Sequence, residues 1–133
     1  MYSTHDMPRF GTHVRRQREA LRREDPRYSV RQLARRIGVE PSYLSKVERE
    51  LEPPPSEPKI RALATELGED PDSLLALAGK VSIDLQIAIR KRPLLFARLI
   101  RELRNLPDTT VLRLIQNLQR GKTKRRSRDR TEQ

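Results

Sequence analysis

The stretch Ser29–Glu50, SVRQLARRIGVEPSYLSKVERE, joins two short amphipathic runs through a single glycine. Neither run can hold a helix alone, because isolated helices below about 12–15 residues are marginal in water. Ser29 reads as an N-cap with Gln32 three residues on, the pattern of a capping box. The spacing predicts a helix from about Val30 to Ile37, with Leu33, Ala34 and Ile37 inward. Gly38 suits the left-handed residue that ends it. Pro41 fits the first turn of the next helix, where Leu44 and Val47 continue the buried stripe that Val39 begins. Ala34 is small where the two helices must approach closely. Burying that stripe turns the opposite face of the second helix outward, exposing Ser42, Tyr43, Lys46 and Arg49.

Working outward, Phe10, Val14, Arg18 and Leu21 recur at helical spacing and predict a helix from about Phe10 to Arg23. Asp25-Pro26 ends it, because a residue preceding proline is pushed out of the α region. Beyond the quoted stretch, Glu52–Pro58 (EPPPSEP) is a stiff linker. A fourth helix follows over about Glu57–Leu67, with Ile60, Leu63, Ala64 and Leu67 inward, and a fifth over about Pro71–Ala78. Three more segments follow Gly79: about Ile83–Arg92, Pro93–Asn105 and Asp108–Gln119, separated at Pro93 and Pro107. The tail RGKTKRRSRDRTEQ lacks apolar periodicity and is expected to be disordered. No segment alternates as a strand would, so the expected class is all-α: a five-helix domain, a small helical extension and a basic tail. The boundaries expected are 1–79, 80–119 and 120–133.

The 133 residues carry a formal charge of +11, with 35% hydrophobic and 35% charged residues. That charge is uneven. Residues 9–49 hold twelve Lys/Arg against five Asp/Glu, whereas residues 50–79 hold two against seven. Residues 80–119 hold eight against three, and 120–133 seven against two. Arginine dominates the excess, and its guanidinium forks onto phosphate, so the balance reads as affinity for a polyanion. Aromatics are only 4%, with no tryptophan, which argues against the stacking platforms that bind single strands. The absence of cysteine excludes disulfides and thiolate metal sites. No run approaches the ~18 apolar residues of a membrane span. A soluble, cytoplasmic and nucleoid-associated protein is expected.

Two helices crossing at a glycine turn, the second with its outer face free, form a helix-turn-helix. A helix so placed fits the major groove of B-DNA, where each base pair shows a distinct pattern of donors and acceptors. At these residues the chain resembles the lambda-repressor/Cro-like (XRE) family of regulators. The resemblance runs from about Phe10 to Gly79 and is carried by the Leu-Ala pair, the Gly-Val turn, the Pro-Ser-Tyr-Leu-Ser entry to the third helix and its closing Glu-Arg. It implies a five-helix domain, usually dimeric, that reads a palindromic operator. By position, it puts Ser42 and Lys46 where relatives read bases, with Tyr43 beside them. Arg49 and Ser45 are expected at phosphates, together with Ser29, Arg31, Arg35 and Arg36 at the groove edge. Arg18 and Glu48 stand where relatives often form a partly buried ion pair that pins the third helix.

The chain also departs from the family. Val30 replaces a glutamine that often bonds phosphate, and Pro41 occupies a position that reads bases in some relatives. Glu50 replaces the glycine that ends the third helix, bringing an acidic residue toward the DNA backbone or shifting the loop. The EDPRY connection after the first helix is longer than usual.

Residues 83–118 carry more apolar surface than one face per helix requires. A homodimer is the first expectation for it, with an intramolecular cap as the rival. The leading functional expectation is a sequence-specific regulator of double-stranded DNA, in particular a repressor. The alternative is an antitoxin-type protein that autoregulates its operon and binds a partner protein through its C-terminal helices; a sequence-indifferent nucleic-acid adaptor is a third. His5 and His13 fit no nucleophile or metal spacing, and no Gly-rich phosphate loop is present. No enzymatic activity, cofactor or metal is therefore expected.

Overall fold

The computed structural model describes residues 8–131, with side chains through residue 122. His5 and the last two residues lie outside that range. Every regular element described is helical. Helix α1 spans Phe10–Arg22, α2 Val30–Ile37, α3 Pro41–Glu48, α4 Glu57–Leu67 and α5 Pro71–Leu77. Helices α6 (Ile83–Lys91), α7 (Pro93–Leu103) and α8 (Asp108–Thr131) follow.

Local chemistry sets these limits. A single 3-10 turn, Pro26–Tyr28, follows α1, and the Asp25 carboxylate accepts from the Arg27 amide at 2.9 Å. The Arg27 guanidinium also donates to that carboxylate and holds the Asp25 pKa below its ordinary value. Ser29 Oγ accepts from the Gln32 amide at 3.2 Å and caps α2. Gly38, at φ 77°, ends α2 in the left-handed region, so that Val39 N–H reaches the Ala34 carbonyl. Asp70 caps α5 by accepting from the Ser73 amide.

Two compact units are present. The first extends to Gln86, the second from Ile87. In the first, α1 to α5 enclose one core in which Val14, Leu33, Leu44, Val47, Ile60, Leu63, Leu74 and Leu75 are almost wholly buried. Each such side chain contributes roughly 1.5–3 kcal/mol by leaving water, and together they hold helices too short to persist alone. The linker is tied down from both sides: Tyr43 Oη donates to the Pro53 carbonyl and Lys80 Nζ to that of Pro55. Lys80 and the buried Ser82 carry this unit past Gly79, where the sequence pattern put its limit.

The second unit differs in kind. None of its residues whose side chains are described is buried. Leu94, Leu95, Leu99 and Ile100 of α7 lie exposed, as do Leu112, Leu114, Ile115 and Leu118 of α8. Helix α8 corrects one expectation, since its backbone stays helical to Thr131 where a disordered tail was predicted from residue 120. The segment lacks an apolar stripe, but it also lacks proline, and its many Arg and Lys residues are good helix formers. Gly121 alone costs about 1 kcal/mol and does not end the helix.

Candidate nucleic-acid interface

The site is built on α2 and α3. On α3, Leu44, Val47 and Glu48 face inward and are buried. Ser42, Lys46 and Arg49, spaced four and then three residues apart, share the outer side and are exposed. Ser45 is half-buried. On α2, Arg31, Gln32 and Arg35 are exposed. Among the described residues, the side chains of Ser42, Lys46, Arg31 and Arg35 make no hydrogen bond or ion pair within the chain. Their polar groups are therefore available to an external ligand. Arg49 Nε lies 3.4 Å from the Ser45 carbonyl, a weak contact that leaves most of its donors unused.

The inner side of α3 is anchored by charge as well as packing. Arg18 Nε and Nη2 donate to Glu48 Oε2 and Oε1 at 2.7 and 2.8 Å, a bidentate pair in which both residues are buried. Arg18 Nη1 also donates to the Tyr28 carbonyl at 3.1 Å. The hydrogen bond to Glu48 raises the Arg18 pKa above its already high ordinary value, against the opposing effect of burial. The guanidinium is thus charged at any working pH. It locks together α1, the 3-10 turn and α3.

Two residues expected at DNA are engaged elsewhere. Tyr43 gives its hydroxyl to the Pro53 carbonyl, and its ring packs against the core. Burial is the main reason its pKa lies above the usual tyrosine value. Arg36 donates to Glu66 Oε2 at 2.9 Å and to the Arg27 carbonyl at 2.6 Å, and its guanidinium stands 5.1 Å from the Tyr28 ring centroid. It staples α2 to α4 and to the 3-10 turn. Sequence spacing could not reveal these partners, ten and thirty residues away.

Lys59 is the converse case, a basic group that sequence reasoning passed over. A Cβ placed on Gly38 would lie 2.7 Å from Lys59 Nζ, so this ammonium sits at the turn between α2 and α3. Glu50, the replacement for a helix-ending glycine, keeps the left-handed backbone at φ 62°. Its carboxylate turns back to α1, accepting from Thr12 N–H and Oγ1. His13, which fits no nucleophile or metal spacing, pairs through Nε2 with Glu69 at 2.8 Å.

The arrangement is a two-helix unit with one buried, clamped side and one basic, exposed side. A family model described as a helix-turn-helix domain matches residues 9–77, more than half the chain, and the protein belongs to that family. The match is consistent with a regulator of the lambda-repressor/Cro-like kind, and the domain marks the chain as DNA-binding. No curated protein and no solved structure matches it. Among the described residues, no helix is long and apolar enough to cross a membrane.

Proposed function

We propose that the protein is a dimeric transcriptional repressor that inserts α3 into the major groove of a palindromic operator and acts without catalysis. The observation that carries this reading is the division of α3: Leu44, Val47 and Glu48 are committed inward, while Ser42, Lys46 and the C-cap Arg49 are exposed outward. Ser42 and Lys46 read base edges, the lysine donating to guanine O6 and N7. Ser29, Ser45, Arg31, Arg35, Lys59 and Arg49 serve the phosphates, which fix register without reading sequence. Tyr43 and Arg36 act as internal staples that hold the reading surface in shape.

Dimerisation through residues 83–118 is supported by the exposed leucines and isoleucines of α7 and α8, since a unit without buried side chains needs a partner to form a core. Two copies of α3 would then address half-sites about one helical turn apart. A salt-titrated binding assay tests the reading, comparing DNA from upstream of the protein's own gene with a shuffled fragment of equal length. Preference for the upstream fragment that persists near physiological salt supports it. Equal affinities that vanish together as salt rises contradict it.

A further inference from the structure

Glu50 is the one described non-glycine residue with positive φ. Such a backbone persists only where its surroundings determine it, and in many proteins it marks a working part. The bonds that close α3, from Glu50 N–H to the Val47 carbonyl at 3.0 Å and from Leu51 N–H to that of Lys46 at 2.9 Å, supply part of those surroundings, and helix α1 supplies the rest. Its N-cap, Arg9, makes no side-chain cap bond, and no acidic residue lies in its first turn. The Thr12 amide there would otherwise lack a partner. The Glu50 carboxylate meets this need from the far end of α3: Oε1 accepts from Thr12 N–H at 2.8 Å and from Thr12 Oγ1 at 3.1 Å. A carboxylate at a helix N-terminus is also favoured by the helix dipole.

Gly11 makes the approach possible. A Cβ at that position would lie 1.9 Å from the Val47 carbonyl oxygen and 2.9 Å from Glu50 Oε1. Any side chain there would force α1 away from the end of α3. Arg18 already grips Glu48 farther along the same helix. Thr12 and Arg18 are six residues apart, or about 9 Å along the axis. A single grip lets one helix pivot on another, whereas two separated grips fix their angle.

We infer that Glu50 is a positioning residue for DNA recognition, clasping the N-terminus of α1 so that Glu48 and Glu50 together set the angle at which α3 meets the groove. The inference rests on the DNA-binding reading above. The Glu50 carboxylate is held against α1 by the amide and hydroxyl of Thr12.

The test compares the full-length protein with Glu50→Gly, Glu50→Gln and Thr12→Val. Glycine accepts the left-handed backbone without strain, so Glu50→Gly removes the clasp and leaves the turn. Two readouts are taken: affinity for the upstream fragment over the shuffled one, and hydrogen exchange of the α3 amides without DNA. Glu50→Gly is expected to remain folded, and its affinity for shuffled DNA is measured alongside as the reference for the ratio. Its preference ratio should drop about 10-fold and its α3 amides exchange about 10-fold faster, the scale of one lost charge-assisted hydrogen bond. Thr12→Val, which removes only the hydroxyl contact, should shift both in the same direction by less. Glu50→Gln, which keeps an acceptor, should recover most of both. An unchanged ratio and unchanged α3 exchange, with only the α1 amides exchanging faster, would reduce Glu50 to a cap and overturn the inference. Should the parent protein show no preference between fragments, the regulator reading fails, and α3 exchange alone then decides the clasp.

Discussion

Removing the Arg18 guanidinium would leave the Glu48 carboxylate at 5% exposure with no cation beside it. Breaking one side of a buried pair costs about 3–5 kcal/mol, so Arg18→Ala should lower the urea midpoint by that equivalent; a loss below ~1 kcal/mol would show the pair to be dispensable. Lys46→Ala belongs to the other face of the same helix. It should leave stability unchanged, weaken operator binding by ~1–3 kcal/mol and relax preference at one base position. Preference unchanged at every position would remove Lys46 from the readout. The difference between these residues was partly legible in the sequence. Outward spacing singled out Ser42 and Lys46, and the resemblance paired Arg18 with Glu48, whose bidentate contact is present. The clasp from Glu50 to Thr12 was not legible, because nothing in a local pattern relates residues 38 positions apart.

At the scale of elements, helices α2 and α4 start and stop at the residues that caps, glycines and prolines indicate, and α3 starts at its proline. Such stop signals are chemical and local, which is why one sequence suffices to read them. The long run of α8 escaped for the opposite reason. Apolar periodicity reports a helix only where one face is buried, and the second half of α8 has no such face to report. The 3-10 turn Pro26–Tyr28 escaped too, since it is held by Asp25 and by partners on α1 and α4 rather than by a pattern of its own. Deleting residues 120–133 should weaken binding to every sequence alike and flatten the dependence of affinity on salt, because seven cations leave the chain. A loss confined to the operator would assign the segment a part in sequence readout instead.

The whole molecule pairs a well-packed helix-turn-helix unit with helices on which many leucines and isoleucines are exposed. In the proposed dimer, burial of Leu99 and Ile115 drives association, so Leu99→Asp combined with Ile115→Asp should give a monomer by sedimentation. That monomer should keep its affinity for shuffled DNA and lose at least ~10-fold at the operator, since two half-sites would no longer be held at once. A double variant that stays dimeric would exclude this face as the interface. In the proposed complex, α3 reads DNA as one of a symmetric pair. Selecting bound fragments from a pool of random duplex DNA at near-physiological salt, and sequencing them, tests this most directly, because the operator need not be chosen in advance. Enrichment of an inverted repeat with half-site centres about 10 base pairs apart is the expected result. A bound pool indistinguishable in sequence from the starting one would contradict it.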